Sequence, residues 1–204
     1  MLDRDLIVID IESSGKNPDT ASIIQIGSCI LEKNALKMGN GFNKYVLPYT
    51  DVWEDEAQSI HKLEKGFLKQ YGSHITGVLD VFEAGIGANL KHYSLAMWSN
   101  GWDIQILRKA YEYCNREFPF SHRSYDIASF VRIYLRANRI IGRDKSGLVN
   151  CARALGIDTN SFAQHDAYHD ALLAARVLQE TILLIHNQRK AVDNLSQLMR
   201  VGKY

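Results

Sequence analysis

An α/β fold, a mixed sheet with helices on both of its faces, is what this sequence predicts. Three observations point there: β-branched apolar runs crowd the first fifty residues, helical periodicity fills the segments that follow, and one more apolar run, YSLAMWS, sits among them. With 204 residues, 46% of them hydrophobic, the chain has enough material for a full core.

The elements follow in order. LIVIDIE (6–12) reads as a buried strand, closed by the loop SSGKNPD. SIIQIGSCILE (22–32) and GFNKYVLP (41–48) read as the next two strands, a meander on one edge of the sheet. Apolar spacing predicts helices over 55–71 and 75–91, a fourth strand at 93–99 and a helix over 103–114. Further helices are predicted over 126–138, at GLVNCARAL, and from 166 to 186. Residues 1–190 read as a single domain and 191–204 as a C-terminal tail, either loosely tied or an appended helix.

Composition removes several classes. Cys29, Cys114 and Cys151 are far apart and lack CxxC spacing, which argues against a disulfide framework or a zinc knuckle and for reduced thiols. MLDRDLIVIDIE places charges where a signal peptide needs an apolar run, and no apolar stretch approaches the roughly 20 residues of a membrane span. A cytoplasmic protein is expected, or a nuclear one where the cell has a nucleus. The net charge of +1 hides an asymmetry: residues 1–100 carry nine Lys and Arg against thirteen Asp and Glu, and residues 101–204 carry fifteen against ten. Carboxylates for metal ions and arginines for a polyanion would divide in this way.

Three carboxylate-bearing stretches stand out. In a strand, Asp10 and Glu12 point to the same side, about 6–7 Å apart, and two like charges at a buried strand end are unfavourable unless a cation lies between them. Asp103, in SNGWDIQIL, follows the fourth strand and also suits the first turn of a helix. HDAYHD packs His165, Asp166, His169 and Asp170 into six positions. His165 and Asp170 are five apart, some 140° around a helix, so they reach one site only if His165 lies in the loop before it. The pairs at i, i+4 share a face, but a zinc-hydrolase reading of His165 and His169 lacks the glutamate of HExxH.

The order IDIESSG, SNGWDIQIL, HDAYHDALLAARVL closely resembles the DEDDh 3′-to-5′ exonuclease superfamily, which has a ribonuclease H-like fold. Carried over, that signature gives Asp10 and Glu12 in the first strand, Asp103 after a later strand, and His165 with Asp170 near the C-terminus. TASIIQIGSCIL, EAQSIHKLEKGFL, SYDIASFVR and LVNCARALGI resemble the intervening parts. Two departures are local: Ser13 and Ser14 replace the usual Thr-Thr pair, and SNGWD is more compact than the common His-Asn-x-x-x-Asp form. Asp166 stands where the tyrosine subtype would place Tyr, which favours the histidine subtype.

The resemblance implies a phosphodiester hydrolase in which Asp10, Glu12, Asp103 and Asp170 hold two divalent cations, Mg²⁺ or Mn²⁺ by their hard oxygen donors, and His165 is the general base. The expected substrate is a single-stranded DNA or RNA 3′ end, DNA slightly favoured, and the expected product a nucleoside 5′-monophosphate. Other readings are an exoribonuclease that trims RNA ends or short oligonucleotides, and a non-catalytic nucleic-acid-binding domain on the same fold. Ser13, Ser14, Trp102, Arg132 and Arg136 are candidate substrate contacts. Arg132, Arg136, Arg139 and Arg143 share a helix face if Gly142 does not break it, a phosphate-tracking stripe or a solvated outer face. Trp98 and Tyr168 read either as core or as stacking residues. A homodimer and a separate polymerase or repair partner both remain open.

Overall fold

The computed structural model describes residues 2–142 and 145–201. Strand β1 (Leu6–Ser13) is central. It pairs antiparallel with β2 (Ile23–Leu31), which pairs antiparallel with β3 (Met38–Tyr45) at one edge. On its other side β1 runs parallel to β4 (Ser94–Met97), and β4 parallel to β5 (Ser124–Asp126), giving the order β3-β2-β1-β4-β5.

Both faces of β1 are covered, which fits its apolar opening Leu6–Ile9. Ile7, Ile9 and Ile11 face one core with α3 (Ile75–Ile86) and α4 (Asn100–Tyr113). Leu6 and Val8 face the other, with α5 (Ile127–Ala137), α6 (Leu148–Ala154) and α7 (Ala167–Val201). Leu6, Ile7, Val8 and Ile9 are essentially inaccessible, each contributing roughly 1.5–3 kcal/mol of burial.

The departures from the sequence reading are local. The helix expected over 55–71 is two, α1 (Asp55–His61) and α2 (Lys65–Tyr71), because Lys62 turns left-handed at φ 61° and closes α1 through its N–H to the Gln58 carbonyl. The third strand lies three residues earlier than expected, and the helix from Ile75 ends at Ile86, where Gly87 takes φ 110°. Helix α4 starts at Asn100, so Asp103 lies inside its first turn. The unexpected β5 ends at Asp126, whose carboxylate caps α5 by accepting from Ser129 N–H at 2.9 Å. Helix α7 runs past residue 190 to Val201. Among the described residues no helix is long and apolar enough to cross a membrane.

Candidate active site

Asp10 and Glu12 project from the face of β1 that α7 covers, opposite Gly27 and Gln25 of β2. The start of α7 lies directly on that spot because Gly27 has no side chain; a Cβ there would sit 2.1 Å from the Ala167 carbonyl carbon and the Tyr168 nitrogen. The buried Gln25 amide fixes the helix: its oxygen accepts from Ala167 N–H at 3.3 Å, and its nitrogen donates to Asp166 Oδ2 at 2.9 Å and Asn43 Oδ1 at 3.0 Å. Asp166 in turn caps the helix, its Oδ1 accepting from His169 N–H at 3.0 Å.

His165 precedes the helix at φ 58°, the left-handed region that L-residues rarely occupy. The turn resolves the five-residue spacing: the His165 N–H donates to Asp170 Oδ2 at 3.2 Å, and ligand atoms of Glu12, His165 and Asp170 all fall within 4.8 Å of one another. Asp103 arrives from α4. The pairing of β1 with β4 stops at Val8–Ala96, and beyond it the Ile11 backbone N–H bonds the Asp103 carboxylate instead.

The electrostatics of this convergence are one-sided. Burial, then the Asp103, Glu12 and Asp170 carboxylates, holds Asp10 far above the usual carboxylate range. Burial, then Asp170 and Asp103, pushes Glu12 up to about 8. Burial pushes Asp103 up to about 7, against the backbone N–H bonds of Ile11 and Asp103 itself, and raises Asp170 against the His165 N–H. Carboxylates crowded this closely destabilise one another until cations lie among them. The donor set of Asp10, Glu12, Asp103 and Asp170, all oxygen, fits hard divalent ions.

The sequence profile of an exonuclease family, RNase_T, matches residues 7–178. The chain belongs to the DEDDh exonuclease superfamily. No curated protein sequence matches the chain significantly. Solved structures share its ribonuclease H-like fold at low identity. Cell-death related nuclease 4 (CRN-4) matches with TM-score 0.73 and 18% identity over 89% of this chain and 64% of that one. The nuclease domain of 3′hExo, a DEDDh family member bound to rAMP, matches with TM-score 0.68 and 18% identity over 88% and 92%. E. coli exonuclease I in complex with a dA16 oligonucleotide matches with TM-score 0.70 and 15% identity over 87% and 40%. The chain thus spans less than two thirds of CRN-4 and less than half of exonuclease I.

Beside the carboxylates the chain has a groove of about 270 Å³, lined by Glu12, Ser13, Gly15, Ile60, His61 and Trp102 among others. Trp102 closes one wall, its indole N–H donating to the Lys16 carbonyl at 2.6 Å. The hydroxyls of Ser13 and Ser14 are turned to the backbone: Ser13 Oγ donates to the Gly15 carbonyl and Ser14 Oγ accepts from Ser22 N–H, both at 2.8 Å. They shape the loop after β1. His61, which sequence reasoning did not single out, is buried; its Nδ1 accepts from Leu63 N–H at 2.9 Å, so Nε2 carries the proton and finds no partner among the described residues. Burial pushes its pKa down to about 4, leaving a neutral donor in the groove wall. The signal was the SIHKL stretch, where an apolar helix face ends in a histidine.

The arginine stripe does not form one helix face. Helix α5 ends at Ala137 and Arg139 turns left-handed at φ 57°, while Arg143 lies outside the described residues. Arg132 packs over the Trp98 ring at 5.5 Å and donates to the Ser146 carbonyl at 2.7 Å, so both belong to the fold; Arg136 is exposed on the same helix. Tyr168 lies across the bare backbone of Gly41, and His169 Nδ1 accepts from Ala163 N–H at 3.1 Å, bracing the loop that carries His165.

Proposed function

We propose that the chain is a metal-dependent 3′-to-5′ exonuclease that hydrolyses single-stranded nucleic acid, DNA ahead of RNA, to nucleoside 5′-monophosphates. The observation that carries this reading is the meeting of Glu12, His165 and Asp170 beside the half-buried Asp10 and Asp103, carboxylates too crowded to stand ionised alone.

Asp10, Glu12, Asp103 and Asp170 would together hold two divalent ions. Bound there, such ions neutralise the phosphate and make water a nucleophile near neutral pH. The residues of the chain do the rest. His165, exposed at the mouth of the site, takes the proton of the attacking water, an imidazole nitrogen being a suitable acceptor for it. Its left-handed backbone and the bond to Asp170 aim it. The loop at Ser13–Gly15 and the walls of His61 and Trp102 seat the terminal nucleotide in the groove beside Glu12. Relatives of this fold have been solved holding rAMP and dA16, which supports a nucleic-acid end as the substrate and leaves the sugar to experiment.

Digestion of matched 5′-labelled single-stranded DNA and RNA oligomers with Mg²⁺ or Mn²⁺ tests the reading. A ladder shortening from the 3′ end, absent in His165→Ala and Asp170→Ala, is the expected result, with the DNA oligomer the faster. No cleavage of either by the folded wild type overturns it.

A further inference from the structure

The edge strand β3 and helix α2 form a surface that the catalytic centre does not use. Tyr45 lies in the row of the sheet that begins at Glu12, through the pairs Glu12–Gln25 and Gln25–Tyr45, so the three residues share a face. Two strand spacings put Tyr45 roughly 10 Å from Glu12. There the sheet ends, and α2 is moored against it by Ser73 N–H to the Tyr45 carbonyl at 3.0 Å and Leu47 N–H to the Ser73 carbonyl at 2.9 Å. Phe67 meets the Tyr45 ring edge-on at 4.8 Å, and Tyr71, one turn further along α2, lies 4.8 Å from Phe67.

These rings are not core. Phe67 is 36% exposed and Tyr71 57%, an unusual exposure for adjoining aromatics. Charge singles out the same edge. Segments 33–50 and 65–79 carry five lysines and no Asp or Glu, although the first hundred residues are acidic overall. Lys44, Lys65 and Lys69 are all exposed. Glu12 stands between this edge and the groove: Trp102 follows β4 on one side of β1, and Tyr45 lies beyond β2 on the other.

We propose that Tyr45, Phe67 and Tyr71 form a stacking track for the bases upstream of the 3′-terminal nucleotide, flanked by lysines for the backbone phosphates. This rests on the exonuclease reading and extends it to how the enzyme holds a strand. Every base has a π-face, so such a track is indifferent to sequence, and its length suits roughly three bases at a 3.4 Å rise. It makes a longer single strand a better substrate than a dinucleotide, which is too short to reach Phe67.

The test compares a thymidine dinucleotide with a thymidine 12-mer as substrates of wild type, Phe67→Ala, Tyr71→Ala and Tyr71→Phe, with anisotropy binding of the 12-mer in parallel. Each alanine variant is expected to raise KM for the 12-mer at least about fivefold, with kcat and dinucleotide cleavage at wild-type level, while Tyr71→Phe keeps the ring and the affinity. Abasic positions two to four from the 3′ end should weaken wild type similarly and cost the alanine variants little more. Alanine variants that bind and cleave the 12-mer as wild type does overturn the track. A wild type that cleaves neither substrate overturns the catalytic reading instead, and the track is then decided by anisotropy alone.

Discussion

Glu12 makes the stability of this protein depend on pH in an unusual direction. Its pKa rises on folding from 4.5 to about 8, and that of Asp103 from 3.8 to about 7. Between those limits the folded state binds more protons than the unfolded one, so stability is greatest at the acid end and is lost as pH rises through the window. At about 1.36 kcal/mol per unit, the part of the Glu12 window above pH 5.5 corresponds to roughly 3 kcal/mol. Asp103 contributes to the same repulsion, so the two are not added. For a chain of this length about 3 kcal/mol lowers Tm by roughly 6–12 °C. The assay is thermal unfolding by circular dichroism at pH 5.5 and 8.5 in EDTA, for wild type and Glu12→Gln. Wild type should lose that much Tm on going to pH 8.5, Glu12→Gln should lose far less, and millimolar Mg²⁺ should restore the wild type. Equal pH dependence in the two proteins, or indifference to Mg²⁺, would refute the reasoning.

Two glycine substitutions should separate helix placement from side-chain contact. Gly27→Ala drives a methyl into the Ala167 and Tyr168 backbone, so it should cost about 3 kcal/mol or more in urea unfolding and abolish cleavage. Gly41→Ala meets only the mobile end of Tyr168 and should cost about 1 kcal/mol or less. His165→Gly should reduce kcat by about 10²–10⁴ without lowering the urea midpoint, because glycine accepts φ 58° without strain. Gln25→Leu strands Asp166 Oδ2 and the Ala167 N–H and should cost about 1–3 kcal/mol in the same unfolding assay.

Much of this site is written in short-range pattern. Strand alternation is enough to put Asp10 and Glu12 on one side, and the β-branched run around them marks the strand as buried. The meeting of His165 with Asp170 needed a loop residue before the helix, and the left-handed turn supplies it. Other parts depend on contacts between distant segments. Nothing near Gln25 announces that its amide will hold the first residues of a helix more than 140 positions later. Lys62 gives no local sign of the turn that divides α1 from α2, since a glycine would be the usual signal there. The arginine spacing offered one helix face, a phosphate-tracking stripe or a solvated surface, if Gly142 did not break it, but the helix stops at Ala137 and only Arg132 and Arg136 share it. His61 acquires its unpartnered Nε2 only when α1 packs beside β1.

Strand β1 also gives the site two mechanical halves. Asp10 and Glu12 alternate with Ile9 and Ile11, so the carboxylates are riveted to the central strand of the sheet and should be among the last groups to move as the protein opens. His165 belongs to an exposed loop held by a few hydrogen bonds, one of them to His169 through Ala163. The carboxylate wall is thus anchored in the sheet, while His165 is placed by a loop whose hold is a handful of hydrogen bonds.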